Sequence, residues 1–108
     1  MSEFKKVKGY VLLGDIANFL MVTKKYSDEK TAEYLQNFYE TSLEILKRHN
    51  GEIIKFIGDS FISIFQSKEE MEEAKEDFDN RYSMKYRWIY GSFVKGEFGK
   101  GTFKWKDV

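Results

Sequence analysis

Two aspartates in the sequence each follow a glycine at the end of an apolar run. Asp15 follows the segment Val11 to Gly14, and Asp59 lies inside the apolar segment Ile53 to Phe65. Two carboxylates held close together repel each other unless a cation lies between them, and oxygen ligands suit Mg²⁺ or Mn²⁺. If the two side chains meet, the sequence predicts a site for two divalent ions that supports phosphoryl or nucleotidyl transfer.

Each aspartate needs a strand to position it. The segment Ile53 to Phe65 is predicted to form a tight β-hairpin, because β-branched and aromatic residues flank a two-residue turn. Gly58 suits the first central position of a type II′ turn, and Asp59 follows it at the tip. Lys6 to Asp15 is predicted to be a central strand that is buried on both faces.

The remaining elements complete the topology. A helix is predicted from the N-cap Ser27 to Asn50, with Gly51 as its left-handed C′ residue, and a second helix after Ser67. A short helical segment is also predicted to begin at Asn18, before the first of these helices. The C-terminal part of the chain is predicted to contain a strand over Met84 to Tyr90, a glycine-rich ribbon with Gly91, Gly96, Gly99 and Gly101, and a final strand over Thr102 to Trp105.

The order β-α-β-β-α-β predicts an α+β fold, a ferredoxin-like antiparallel sheet with helices on one face and an extra glycine-rich β-ribbon. Right-handed crossovers place strand one beside strand three, antiparallel, which brings Asp15 and Asp59 to the same edge of the sheet. The helix start Asn18, Phe19, Leu20 and Met21 follows Asp15 directly and offers free backbone N–H groups to a polyphosphate. Spacing alone is equally compatible with Asp15 as a helix-entry residue and Asp59 as a turn residue.

Composition limits the classes of function. The chain of 108 residues has 18 basic and 18 acidic residues, no cysteine and no long apolar run. A dedicated nucleic-acid binder, a disulfide framework, a signal peptide and a membrane span are therefore not expected. We expect one domain over residues 1 to 108, soluble and cytoplasmic. His49, the single histidine, is expected to complement a helix dipole rather than bind metal.

The strand Met84 to Tyr90 alternates between two kinds of residue. Its aromatic row is expected to pack in the core rather than serve as a stacking platform for bases, because no basic patch surrounds it. Lys85, Arg87 and Ile89 are expected on a half-solvated face. The aromatic strand and the ribbon leave apolar surface that two helices do not cover, which predicts a homodimer.

The two aspartate motifs together resemble those of the class III adenylate and guanylate cyclase catalytic domains. The segment Gly14 to Phe19 is similar to that family's aspartate-isoleucine-x-glycine-phenylalanine-threonine segment, and Lys55 to Asp59 is similar to its lysine-x-x-glycine-aspartate hairpin. The spacing of Gly91, Gly96 and Gly99 resembles the family's glycine-rich ribbon.

The resemblance implies a purine nucleotidyl cyclase that binds ATP or GTP and forms a 3′,5′-cyclic nucleotide and pyrophosphate. It implies that Asp15 and Asp59 hold two Mg²⁺ or Mn²⁺ ions with the Ile16 carbonyl, and that Lys55 reads a purine edge. Asp107 is implied as the start of a second adenine-reading segment. The family's sites lie between the subunits of a head-to-tail dimer, so Lys55 of one chain would serve the metals of the other.

The sequence also departs from that family. Asn18 stands in place of a glycine, a mild change since Asn tolerates left-handed backbone, and Leu20 replaces the threonine. The chain ends at Val108, before the helix that carries the family's transition-state asparagine and arginine, so we expect a truncated domain with weak or absent turnover. The alternatives are an inactive nucleotide-binding and metal-binding relative, a diguanylate cyclase or polymerase-like palm domain, and a dimerisation module of the same fold.

Overall fold

The computed structural model of the protein describes residues 4 to 96 and 103 to 106, with side chains for residues 7 to 92. The elements are β1 (Phe4–Ile16), α1 (Phe19–Lys25), α2 (Asp28–Arg48), β2 (Glu52–Ile57), β3 (Ser60–Phe65), α3 (Lys68–Asp79), β4 (Met84–Gly96) and β5 (Phe103–Lys106). This confirms the predicted α+β fold, including the hairpin of β2 and β3 and the last strand.

The five strands form one sheet in the order β2-β3-β1-β4-β5. Strand β1 pairs antiparallel with β3 on one side and with β4 on the other. The predicted neighbourhood of strands one and three is therefore confirmed. β4 and β5 form the extra ribbon, of which Gly99 and Gly101 lie outside the described residues.

The sheet has a covered face and an open face. The side chains of Leu12, Phe61 and Phe65 alternate toward α2 and α3, where they join Phe38 and Phe78 in the main core. Residues at the intervening strand positions point away from the helices, because successive strand side chains lie on opposite faces. A smaller buried cluster of Val11, Ile54 and Ile64 lies on that second face, which we call the open face.

Hydroxyl groups cap both long helices as predicted. The Ser27 Oγ accepts a hydrogen bond from the Lys30 N–H of α2, and the Ser67 Oγ accepts one from the Glu70 N–H of α3, each at 3.2 Å. These bonds satisfy amides that would otherwise lack a partner within the helix.

The C-terminus of α2 corrects one prediction. The left-handed residue is Asn50, with φ 60°, and not Gly51. The Gly51 N–H donates to the Leu46 carbonyl at 2.7 Å, and a Cβ on Gly51 would lie 2.5 Å from the Phe65 ring. Gly51 is therefore required by the close approach of the chain to an aromatic ring rather than by its dihedral angles.

A charged contact joins α2 to α3. The Asp77 carboxylate accepts hydrogen bonds from Arg48 at 2.6 Å and, when the His49 Nε2 is protonated, from that atom at 3.0 Å. The hydrogen bond from His49 is the largest cause that holds the pKa of Asp77 below its usual value. His49 is thus partnered at the helix end by a carboxylate of the next helix.

The aromatic row of β4 divides along its length. Met84 and Tyr86 pack against the main core as predicted, whereas Trp88 and Tyr90 are 37% and 50% exposed and contact the Tyr10 ring. The helices of the described residues therefore leave the Trp88 and Tyr90 end of this row partly uncovered. No helix among the described residues is long and apolar enough to cross a membrane.

Candidate functional site

The antiparallel pairing of β1 and β3 brings the two predicted aspartates to one edge of the sheet. Asp15 pairs with Ser60, the residue that follows Asp59. The Ile16 N–H donates a hydrogen bond to the Asp59 carbonyl oxygen at 3.2 Å. The backbone segments that carry both carboxylates are therefore joined directly, at the point where strand one ends and strand three begins.

The turn that carries Asp59 is held from the helical side. Gly58 has φ +58°, and Asp59 does not have positive φ, which is the pattern of the predicted type II′ turn. The Tyr39 hydroxyl of α2 donates to the Gly58 carbonyl at 2.6 Å, while the Tyr39 and Phe56 rings lie with centroids 4.5 Å apart. Helix α2 thereby fixes the position of the turn relative to the sheet.

Asp15 lies on the open face, and its neighbour Gly14 faces the core. A Cβ on Gly14 would lie 2.7 Å from the Phe61 ring, so the glycine lets that ring pack beneath the strand. Alternation along β1 then places Asp15 on the same face as Leu13. Gly14, which packs against the core, and Asp15, which lies on the open face, are therefore consecutive residues.

An open cleft of about 710 Å³ lies over this part of the sheet. Its lining from the open face includes Leu13, Asp15, Ile57, Ile62, Lys85 and Arg87. Asp59 is at the same sheet edge but does not line the cleft. One carboxylate, two cations and several apolar side chains therefore face a single space.

Lys85 and Arg87 line the cleft, although the sequence did not indicate them as candidate site residues. The sequence suggested only that they face solvent, whereas the register places Lys85 opposite Asp15 and Arg87 opposite Leu13. In the described part of the chain neither lies within 4.0 Å of a carboxylate oxygen, so neither charge is neutralised by an ion pair. The period-2 pattern of β4 could have identified their shared face, but only the register identifies what lies beside them.

A β-bulge in β2 directs Lys55 to the open face. The register between β2 and β3 shifts between Ile53 and Lys55, and both Ile54 and Lys55 lie on the open face although they are consecutive. Lys55 pairs with Ile62 and is exposed, but it does not line the cleft. The same row across the sheet continues through Leu13 to Arg87, with strands spaced about 4.8 Å apart.

The chain turns sharply after β1. Asn18 has φ 59° and ψ 33°, so it adopts the left-handed conformation that its similarity to a glycine position implies. The Met21 N–H donates to the Asn18 carbonyl at 2.9 Å and is engaged within this turn. The earlier amides of the predicted phosphate-binding segment, up to Leu20, are those that a helix start leaves without an internal acceptor. Asp107 lies outside the described residues.

The donor set fits a metal that takes part of its ligands from a substrate. Across residues 4 to 96 and 103 to 106, no three or more His, Cys, Asp or Glu side chains come together to hold a metal ion. Two carboxylates with backbone carbonyls make too few ligands for a protein cage, but they are the usual protein share of a Mg²⁺ site that substrate phosphates and water complete.

Comparison with known proteins gives matches in structure only. The sequence matches no family model and no curated protein. Among solved structures, the catalytic core of a rhodopsin-guanylyl cyclase with converted specificity, in complex with ATPαS, aligns with TM-score 0.75 and 17% identity over 87% of this chain. A bacterial light-regulated adenylyl cyclase aligns with TM-score 0.73 and 17% identity, also over 87% of this chain.

A third match is the monomeric guanylyl cyclase domain of the RhoGC fusion protein from the aquatic fungus Blastocladiella emersonii, with TM-score 0.69 and 18% identity over 98% of this chain. This chain spans 61%, 33% and 73% of the three matched chains, respectively. These identities are low enough that the likeness concerns the fold. The chain therefore has the fold of class III adenylyl and guanylyl cyclase catalytic domains, the family that its two aspartate motifs resemble.

Proposed function

We propose that this domain binds a purine nucleoside triphosphate with two divalent metal ions on its open face, as a nucleotidyl cyclase-like domain. The observation that carries the proposal is the cleft in which Asp15 lies beside Lys85 and Arg87, in a fold shared with cyclase catalytic domains. A polyphosphate with bound metal presents the charges that such a cleft complements.

The metal-binding residues of the proposal are Asp15 and Asp59, with the Ile16 carbonyl. Two Mg²⁺ or Mn²⁺ ions bound there would supply Lewis-acid activation of the ribose 3′-hydroxyl and charge neutralisation at the phosphates. The hydrogen bond from Ile16 to Asp59 and the contact of Tyr39 with Gly58 hold the two carboxylate-bearing segments in place before any ligand binds. Such preorganisation lowers the cost of bringing like charges together on binding.

The position of each residue relative to Asp15 suggests which part of the nucleotide it would bind. The amides of Asn18 to Leu20 lie just beyond Asp15 and would bind the β- and γ-phosphates together with Lys85. Lys55 would contact the purine edge. In the reaction we propose, the ribose 3′-hydroxyl gives its proton to solvent water and its oxygen forms a bond to the α-phosphorus. The bond from that phosphorus to the oxygen that leads to the β-phosphate breaks, which yields a 3′,5′-cyclic nucleotide and pyrophosphate.

We also propose that a second copy of the chain completes the site. The open face exposes Leu13, Ile57 and Ile89 by 38%, 54% and 48%, and it places Lys55 two strands away from Asp15. Exposed apolar side chains beside a functional cleft are typical of an interface. A partner on this face would cover them and bring its own Lys55 to the cleft.

Metal binding tests the proposal most directly, because it depends on residues within the 108-residue chain. We expect millimolar Mn²⁺ to raise the melting temperature of the protein, since a ligand that binds only the folded state stabilises it. Asp15→Asn and Asp59→Asn should each abolish this shift. Glu33→Gln, an exposed carboxylate of α2 with no ion pair in the described part of the chain, is the matched control and should keep it.

Calorimetry with a non-hydrolysable ATP analogue and Mn²⁺ then tests the nucleotide. We expect binding by the wild type, and Lys55→Ala should reduce discrimination among purine nucleotides without changing the Mn²⁺ shift. A Mn²⁺ response that persists in both aspartate variants would refute the metal site. No binding heat at millimolar analogue would leave a dimerisation module as the function of this fold.

A further inference from the structure

Of the two cations that line the cleft among the described residues, Arg87 is the one to which the proposed function assigns no part of the nucleotide. It is exposed, lines the cleft and lies on β4 opposite Leu13, one row of side chains inward from the row that pairs Asp15 with Lys85. Side chains on diagonal positions of neighbouring strands lie about 7–8 Å apart, within reach of a long side chain. Its guanidinium can therefore reach a ligand that Asp15 holds through a metal.

The surroundings of Arg87 favour an anionic ligand over a structural ion pair. The guanidinium lies farther than 4.0 Å from every carboxylate oxygen of the described residues, Asp15 included. Leu13 and Ile62 line the cleft beside it, and an apolar lining strengthens a charged hydrogen bond when the ligand excludes water. A guanidinium also binds two oxygens of one phosphate at once, which an ammonium group does not.

The order of the rows indicates which phosphate lies beside Arg87. In the proposed function the β- and γ-phosphates lie at the start of α1, just beyond Asp15 at the sheet edge. If the nucleotide extends from that edge toward the middle of the sheet, the row of Asp15 and Lys85 is the first that it contacts. The row of Leu13 and Arg87 lies about 7 Å farther from the edge. The phosphate at the inner row is the one bonded to the ribose.

We propose that Arg87 binds the α-phosphate of the nucleotide, within the same chain as Asp15, whereas Lys85 binds the outer phosphates. This assignment rests on the proposed function and adds a residue to it. It makes Arg87 the cationic side chain nearest to the phosphorus at which the ring would close.

Comparison of ATP with ADP separates the two cations. We expect Arg87→Ala to weaken binding of a non-hydrolysable ATP analogue and of ADP by the same factor, about tenfold for one charged hydrogen-bonded contact, in calorimetry of the 108-residue chain with Mn²⁺. Lys85→Ala should weaken the triphosphate more than the diphosphate. Arg87→Lys should recover part of the loss, since it keeps the charge but not the bidentate geometry.

The controls distinguish this inference from the proposed function. Lys47→Ala removes one charge from the exposed end of α2 and should bind both nucleotides like the wild type. Arg87→Ala should keep the Mn²⁺ melting shift, which reports the aspartates alone. Binding within twofold of the wild type in Arg87→Ala, or a loss confined to the triphosphate, would overturn the assignment while the proposed function stands. A wild type that binds neither nucleotide would overturn both.

Discussion

The hydrogen bond from Tyr39 to the Gly58 carbonyl offers a measurable link between the helix layer and the Asp59 turn. Tyr39→Phe removes the hydroxyl but keeps the ring against Phe56. A neutral hydrogen bond contributes about 0.5–1.5 kcal/mol net, and the lower half of that range applies here because water can replace the hydroxyl at an exposed carbonyl. For a domain of this size the loss corresponds to a decrease of about 4 °C in melting temperature.

Tyr39→Phe should also weaken Mn²⁺ binding, and by more than its small effect on the melting temperature suggests. A turn that is free to move presents the Asp59 carboxylate less often in its binding position, so we expect the Mn²⁺ affinity to fall. The decrease should be smaller than the tenfold or greater loss typical of direct partners of metal ligands, because Tyr39 acts through the backbone of the preceding residue. Thermal melts and Mn²⁺ titration measure the two effects.

Tyr34→Phe is the matched control for Tyr39→Phe. Tyr34 lies in the same helix, and its hydroxyl has no hydrogen-bond partner within the part of the chain that the structure describes. We expect this variant to melt and bind Mn²⁺ like the wild type. If Tyr39→Phe also matched the wild type in both measurements, the hydrogen bond would not hold the turn and the reasoning would be refuted.

Two further predictions concern the helix contact and the assembly. The lowered pKa of Asp77 contributes stability that is present above the unfolded-state value of about 3.9 and is lost as pH falls through the lower folded-state value, so the deficit of Asp77→Asn in urea unfolding should shrink below pH 4. A deficit that stays constant to pH 2.5 would contradict this. Light scattering should give twice the 12.9 kDa chain mass. Mixing Asp15→Asn with Lys55→Ala chains should restore purine-selective nucleotide binding, because one shared site of the mixed dimer then has both residues intact. A monomer at high concentration, or no restoration on mixing, would exclude a shared site.

The sequence predicted the elements of this fold because its local signals agree with one another. Ser27 and Ser67 cap the helices that they were expected to cap, and Gly58 makes the turn between two strongly apolar strands. The crossover rule then placed β1 beside β3 without knowledge of any contact. The prediction that Gly51 is the left-handed residue was wrong. A glycine at a helix end has two explanations, a left-handed dihedral angle and close packing, and only the fold distinguishes them.

The cations of the site could not be predicted for a different reason. The alternation of β4 fixes that Lys85 and Arg87 share a face, but a shift of β4 by two residues against β1 would preserve that alternation and place another residue beside Asp15. The bulge that turns Lys55 to the same face as Ile54 has no signal in residue type either. Register is set by the packing of the whole sheet, and it is the register that brings these charges together.

The division of the sheet into two faces separates the residues that stabilise the domain from those proposed to bind ligands. Leu12 and Gly14 face the main core, while the alternating residues Leu13 and Asp15 face the cleft. Substitutions on the open face should therefore change binding with little effect on the main core. The exposed Leu13 lies within the same cleft as Asp15, so a second chain that covers the apolar residues would also enclose a nucleotide bound in the proposed site. Dimerisation and nucleotide binding should then strengthen each other, because a nucleotide in the cleft would contact both chains and a second chain would add contacts to the nucleotide.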